Sequence, residues 1–471
     1  MTKGDKGQYT QEEDAALQAW IQRFKEYRTT PAQILILGFL VVILAGTLLL
    51  SLPFAVSSGK SLRWIDALFT STSAVCVTGL IVKETPSDFS LFGQVIILML
   101  IQIGGLGYTT FATVIFLFLG KSISIRERLV MKEALNVLST EGILNLTKWI
   151  VIITLLVEMA GTLILSLRFL QQYDPLKAVY LALFHSISAF NNAGFSLFSN
   201  SLVDYRTDVV VNLVIGILII LGGLGFIVYR EIFQYYFKKE VFRLSIHTRV
   251  VLIVTALLIT VGTFMIYLFE SGNGTMQGFS IGEKLLASFF QTVSARTAGF
   301  NTVDFSALFP FTLYFIVMLM LIGGSPGSTG GGIKTTTFGI MMVALWSTMR
   351  GRRDVTLFYR RIPPEIISRA FFLAFLAMLF VTGFTLVLLY VEEKGFISTL
   401  FEVASGMATV GLSTGDGGVR SLSALFNDFG KLVMILAMFI GRLGPLAIGI
   451  GALGTPRHER YRYPEEKVII G

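Results

Sequence analysis

Residues 69–80 read FTSTSAVCVTGL, and the chain returns to that pattern three times: FHSISAFNNAGF at 184–195, FFQTVSARTAGF at 289–300 and FEVASGMATVGL at 401–412. Anchored on one glycine each (Gly79, Gly194, Gly299, Gly411), the four segments align without gaps. A phenylalanine stands ten residues before each glycine (Phe69, Phe184, Phe289, Phe401), and a small residue five before it (Ala74, Ala189, Ser294, Gly406). Leu or Phe follows each glycine. Phe and Gly are abundant, at 40 and 46 residues, so one such match alone would decide little. A second match accompanies every first. The patches IGGLG (103–107), LGGLG (221–225), IGGSPG (322–327) and IGRLG (440–444) begin their glycines 24 to 30 residues further on. A unit recurring in this way is an internal repeat.

The surroundings of the repeat set its environment. Hydrophobic residues make up 54% of the chain and charged ones 14%, whereas a soluble domain carries about 25% charged residues. Apolar segments lie at 33–50, 92–119, 147–167, 209–229, 249–269, 311–345, 369–391 and 427–453, most of them near the roughly 20 residues that cross a bilayer as helix. Between the members of each pair sits one of the four aligned segments, too short or too rich in Ser and Thr to cross. The expected fold is an all-α membrane protein: four parallel M1-P-loop-M2 repeats, pseudo-fourfold around one pore, with eight transmembrane helices. The boundaries read as a tail 1–32, repeats at 33–146, 147–248, 249–368 and 369–453, and a tail 454–471.

Charge sets the orientation. The net charge of +8 could point to nucleic acid, but its distribution is a topology signal instead. With both termini in the cytosol, the segments 1–32, 120–146, 230–248, 346–369 and 454–471 hold 23 of the 38 Lys and Arg, as the positive-inside rule requires. The first 30 residues are polar and of mixed charge, unlike a cleavable signal peptide, and an amphipathic helix is expected near Trp20. The basic runs at 126–128, 237–243 and 350–365 fit retention inside and contact with anionic lipid headgroups. The single cysteine, Cys76, excludes an intrachain disulfide and a Cys-rich metal site.

Each unit crosses twice, so all four point the same way, unlike the opposed units of inverted-repeat transporters. Their loops then meet along one axis. Exposed backbone at membrane depth is tolerated where it lines water or protein. The candidate site is therefore a ring of carbonyls from Val77, Thr78 and Gly79; Asn192, Ala193 and Gly194; Thr297, Ala298 and Gly299; and Thr409, Val410 and Gly411. Several oxygen dipoles at close range suit a dehydrated monovalent cation, and the loops carry no carboxylate ring of the kind a divalent ion prefers. The short helices would also aim their negative C-terminal ends at the ion. Asn191 and Asn192 are candidates to add side-chain oxygens.

The stretch GSTGGGIKTT (327–336) resembles a phosphate loop without being one. Gly327 and Gly332 have the spacing, but Ile333 intervenes before Lys334, and the preceding FTLYFIVMLMLI is a membrane helix rather than a strand. With three histidines and no triad-like arrangement, catalysis is not expected. The long span 311–345 leaves room for two half-helices and a polar loop formed by Gly323, Gly324, Ser325, Gly327, Ser328, Thr329, Gly330, Gly331 and Gly332, ending at Lys334. Non-helical backbone at that depth should face water beneath the carbonyl ring. Arg442 replaces a patch glycine in the fourth repeat; burial in hydrocarbon would cost about 3 kcal/mol or more, so it should face the pore or a partner as a barrier to cations. Arg296 is expected behind the ring, bracing its loop. Glu158, Cys76 and His185 are expected as packing residues, and the remaining patch glycines as close helix contacts.

The loops, the Gly-rich second helices and the length resemble the Trk/Ktr/HKT superfamily of potassium transporters over nearly the whole chain, and within it the membrane-subunit branch of bacterial Ktr systems. That resemblance implies K+ as substrate, since a glycine, Gly79, stands at the first filter position rather than serine. It further implies sodium-dependent uptake with Na+ as activator, a homodimer with one pore per subunit, a cytosolic nucleotide-binding (RCK-type) ring subunit as regulator, and a gating role for 323–334. The alternative is a secondary cation transporter with a midplane site, which the parallel rather than inverted repeats disfavour. The expected location is the plasma membrane, multi-pass, with no nucleic-acid partner and no covalently bound cofactor.

Overall fold

The structure is a computed structural model and describes residues 31–118, 125–134, 142–239, 242–415, 420–444 and 466. The helix expected near Trp20, nearly all of the 454–471 tail and the end of the 427–453 segment lie outside the described residues.

The described helices fall into four successive groups, each opening with a long apolar helix followed by a short one. The first unit comprises α1 (Pro31–Leu50), α2 (Trp64–Val75), α3 (Leu91–Leu106), α4 (Tyr108–Phe118) and α5 (Ile125–Ala134). The second comprises α6 (Ile143–Phe169), α7 (Pro175–Phe190), α8 (Val209–Leu224) and α9 (Phe226–Phe233). The third holds α10 (Ile246–Glu270), α11 (Ile281–Ser294), α12 (Pro310–Leu321) and α13 (Thr335–Met349), and the fourth α14 (Pro364–Glu392), α15 (Phe396–Met407) and α16 (Asp428–Leu443).

Local chemistry fixes where these helices begin. The starts of α3, α8 and α16 are capped by Ser90, Asp208 and Asn427, whose side chains accept from the amides of Gly93, Val211 and Gly430 at 3.3, 3.0 and 2.9 Å. Such caps satisfy amide groups that the helix itself leaves orphaned. Helices α7, α12 and α14 start on proline, whose missing donor costs nothing in the first turn. A capping box of Ser280 and Glu283 starts α11.

Among the described residues, four helices, α1, α6, α10 and α14, are each long and apolar enough to cross a membrane. The spans expected as continuous over 92–119 and 209–229 are instead broken: the chain bends by 97° between α3 and α4 and by 92° between α8 and α9. The cause is the last glycine of each patch, Gly107 at φ 80° and Gly225 at φ 95°, a backbone that a right-handed helix cannot contain. Helix α16 stops in the same way before Gly444 at φ 85°. The third unit departs further, with residues 322–334 non-helical between α12 and α13. Among the described residues a short sheet departs from an all-helical fold: Thr356–Leu357 pairs antiparallel with Arg360–Arg361. The two-residue turn between them, Phe358 and Tyr359, has positive φ at both positions, which matches the strand twist and makes a hairpin of the basic 350–365 stretch.

The short helices α2, α7, α11 and α15 form the centre. Phe69, Phe184 and Phe401 on them are fully buried, while Phe289 is half-buried over Gly216. Each short helix also meets the second helix of the preceding unit: α3 packs on α7, α8 on α11, α12 on α15, and α16 on α2. The units thus follow one another in cyclic order, and the fourth returns to the first.

Candidate functional site

The C-terminal ends of the four short helices run directly into the four aligned loops. In each loop the residue two before the glycine has positive φ: Val77 at 54°, Asn192 at 58°, Thr297 at 78° and Thr409 at 52°. The glycines follow at 90°, 69°, 82° and 94°, while the residue between keeps negative φ. This alternation turns successive carbonyls to one side. For Val and Thr such a backbone is a genuine outlier, held only where the surroundings determine it.

Serines supply that hold. The amides of Thr78, Ala193 and Val410 donate to the carbonyls of Ser73, Ser188 and Ser405 at 2.8 Å, and that of Ala298 to Ser294 at 2.9 Å. The hydroxyls of Ser73 and Ser405 accept from the amides of Gly79 and Gly411 at 3.1 and 3.0 Å. Those of Ser188 and Ser294 donate to the carbonyls of Phe195 and Phe300. The sequence reading passed over Ser73, Ser188 and Ser405. Their signal was a serine six residues before the glycine in three repeats, displaced by one in the third.

The loops close on each other. A Cβ placed on Gly79 would lie 2.5 Å from the carbonyl oxygen of Ala193; on Gly194, 2.5 Å from that of Ala298; on Gly299, 2.4 Å from that of Val410; and on Gly411, 2.2 Å from that of Thr78. The four glycines therefore form a ring in chain order with no room for a methyl group. The ring divides two cavities. One, about 40 Å³, is lined by all four glycines together with Ser413, Ser421, Asn301, Glu84 and Arg420. The other, about 290 Å³, is lined by Gly330, Gly332, Lys334, Ala408 and Arg442 among others.

Segment 322–334 lies across the second side. A Cβ on Gly330 would meet Thr297 Oγ1 at 2.4 Å, and one on Gly331 would meet Thr409 Oγ1 at 2.1 Å. Gly323 and Gly324 therefore fold back on Gly331, with Gly323 N donating to Ile333 O at 3.0 Å and Gly324 N to Gly331 O at 3.1 Å. Neighbouring units anchor the segment from outside. Ser325 N and Thr329 N donate to the carbonyls of Gly223 and Gly222 at 2.9 and 3.2 Å, and Phe226 N donates to Gly327 O at 2.9 Å. Ser328 and Gly327 line the larger cavity. Lys334 Nζ donates to Gly330 O at 2.8 Å. Arg442 bridges three units: Nη1 donates to Thr329 O at 2.5 Å, and Nη2 donates to Gly104 O. The guanidinium is thus spent on carbonyls beside the ring.

Several singled-out residues fall elsewhere. Asn191 adds no oxygen to the ring. Its amide turns behind the loop, where Nδ2 lies 2.9 Å from Glu158 Oε1 and 2.9 Å from Gln102 Oε1, because Gly105 leaves the space for it. Glu158 is buried in that cluster, with Gln102 Nε2 donating at 3.2 Å. The Asn192 amide sits at the ring's lower edge. One end of the amide lies 3.0 Å from Thr297 Oγ1; with the amide oriented so that its oxygen accepts there, its nitrogen donates to the carbonyls of Ile219 and Ala189 at 3.1 Å. Arg296 is buried and reaches the carbonyl of Gly323 at 3.4 Å, so the segment it braces is 322–334 rather than its own loop. Cys76 and His185 are fully buried, and the His185 nitrogens meet Leu181 O at 2.7 Å and Ser196 Oγ at 3.0 Å. Some patch glycines make the close contacts expected of them: a Cβ on Gly104, Gly222 or Gly441 would fall within 2.0 Å of the carbonyl of Val75, Phe190 or Met407, and one on Gly105 would meet the Asn191 side chain. Gly107 and Gly223 do not, a Cβ there having nothing nearer than 3.5 Å, and Gly107 and Gly225 serve the positive φ that breaks their helices.

Apolar helices of spanning length around four loops that meet define a polytopic membrane protein with a central axis between two cavities. The family model for cation transport proteins, TrkH, matches residues 16–456. The chain belongs to the TrkH family of cation transport proteins, a family of transporters rather than enzymes. It is 40% identical to the Ktr system potassium uptake protein B of Bacillus subtilis, over 95% of this chain and 98% of that one. It is 38% identical to the potassium/sodium uptake protein NtpJ of Enterococcus hirae, over 94% and 98%. Among solved structures, the potassium transporter TrkH from Vibrio parahaemolyticus superposes with a TM-score of 0.67 at 23% identity, covering 89% of this chain and 85% of that one. The last likeness speaks for the fold.

Proposed function

We propose that this chain takes up K+ across the plasma membrane through a filter made of the four loops, in an arrangement of four parallel repeats and eight spans with both termini cytosolic. The observation that carries the reading is the closed ring of Gly79, Gly194, Gly299 and Gly411 with its fourfold alternation of backbone conformation. Carbonyls turned to one side can replace the hydration shell of a monovalent cation, and the C-terminal ends of α2, α7, α11 and α15 add favourable dipoles. Segment 322–334 is the gate, because it touches Thr297 and Thr409 directly below the ring. Arg442 adds a positive barrier and holds the gate shut through Thr329. The smaller cavity faces outside.

The relatives named for potassium uptake support K+ as substrate, and the one named for potassium/sodium uptake supports an involvement of Na+, here read as activator. A homodimer and a cytosolic RCK-type ring subunit complete the system. The test is Rb+ uptake in cells lacking their own potassium uptake, with and without Na+. Saturable uptake stimulated by Na+ is the expected result; a correctly inserted protein that gives none overturns the reading.

A further inference from the structure

The smaller cavity carries charge that the filter reading does not use. Among its described lining residues one carboxylate and one guanidinium occur, Glu84 from the first repeat and Arg420 from the fourth. Arg420 Nε donates to Glu84 Oε1 at 3.3 Å. Both side chains keep contact with water, 23% exposed for Glu84 and 52% for Arg420. Their backbones are held close to the ring. Ser421 N donates to Ile81 O at 3.0 Å, and Ile81 N donates back to Ser421 Oγ at 2.8 Å, only two residues beyond Gly79. Ser87 Oγ fixes the other carboxylate oxygen of Glu84 at 2.9 Å.

An exposed pair of this kind contributes little to stability. Its placement gives it a different effect. A carboxylate in a small mouth bounded by protein concentrates cations from solution, and a guanidinium in the same place repels them, with field lines focused by the low-dielectric walls. All four ring glycines share this cavity, so any cation reaching the ring from this side passes the pair. We infer that Glu84 and Arg420 together set the apparent affinity for cations at the mouth, Glu84 drawing them in and Arg420 holding that attraction in check. The inference rests on the proposed uptake function and on the mouth facing outside.

The experiment measures KM and Vmax for Rb+ uptake by the full chain and by Arg420→Gln, Glu84→Gln and the double variant, at low ionic strength and with added N-methylglucamine chloride. Removing Arg420 should lower KM about threefold, and removing Glu84 should raise it about threefold, both without change in Vmax. The double variant should return close to the parent value. The separation should collapse at an added salt of about 0.5 M, where the screening length falls to a few ångströms. A fall in KM with Arg420→Gln cannot come from misfolding, so that variant keeps the test independent of folding. Shifts in the same direction for both single variants, unchanged KM, or shifts that persist in salt overturn the pair's role while parental uptake leaves the transport reading intact. Absence of uptake by the parent overturns both.

Discussion

At the scale of single residues, the ring depends on backbone conformations that few side chains accept. Val77 and Thr409 hold φ near 50° although they are β-branched, and each is followed two residues later by a glycine whose pseudo-Cβ would collide with a neighbouring carbonyl. Gly79→Ser should therefore displace the Ala193 carbonyl and lower the preference for K+ over Na+ by about tenfold, since selectivity depends on the number and placement of carbonyl dipoles. Competition of Na+ against Rb+ uptake measures it, and an unchanged ratio would show that the loops do not select. The glycines were legible in the sequence because one residue type satisfies both demands, positive φ and no volume. Ser73, Ser188 and Ser405 were less so, since a serine on a short helix reads equally as solvent-facing. Asn191 was misjudged because adjacent positions in a loop diverge: Asn192 turns toward the ring and Asn191 toward Glu158.

Among the elements, α12 and α13 with their connection were readable from length alone, a span of 311–345 being too long for one crossing. The bends after α3 and α8 were not. Gly104 and Gly107 belong to one GGLG patch, yet the first admits the Val75 carbonyl and the second breaks the helix. Sequence does not separate a glycine needed for space from one needed for φ. The connection 322–334 is tied at several points, and Arg442 holds its centre through Thr329. Arg442→Ala should raise Rb+ flux by about tenfold, the lower end of what loss of a charge-assisted hydrogen bond of about 1.5–3 kcal/mol permits. Deleting residues 327–330 should do the same and, if the proposed regulatory subunit acts through this segment, loosen dependence on it. Flux unchanged in both variants, with normal membrane insertion, would leave the segment without a gating role.

For the whole molecule, a linear chain that forms a ring has one junction without a covalent link, here between the fourth unit and the first. Polar contacts gather there. Arg63 Nη2 meets Asp428 Oδ1 at 2.6 Å, Lys431 Nζ meets Asp66 Oδ1 at 2.7 Å within the interior, and Arg420 meets Glu84 at the mouth. The buried Asp66–Lys431 pair should behave asymmetrically. Lys431→Met alone leaves a buried carboxylate uncompensated and should cost about 3–5 kcal/mol, whereas the double variant Asp66→Leu/Lys431→Met should recover most of it. Thermal denaturation in detergent compares the two; equal losses would mean that the pair acts through packing alone. None of these partners was visible in the sequence, because their separations of 365 and 336 residues carry no local pattern.

The cyclic contact order also governs when the structure can be completed. Gly411 is the last of the four ring glycines to leave the ribosome, and its neighbour in the ring is Thr78, made near the beginning. Until α15 and α16 have been inserted, α2 lacks a partner on one flank, and the strained backbone at Val77 has nothing to hold it from that side. The ring is therefore closed late in biogenesis, and on the proposed function selectivity comes with that closure. A nascent chain arrested before residue 396 would hold three units and α14, and would lack the fourth loop of the ring.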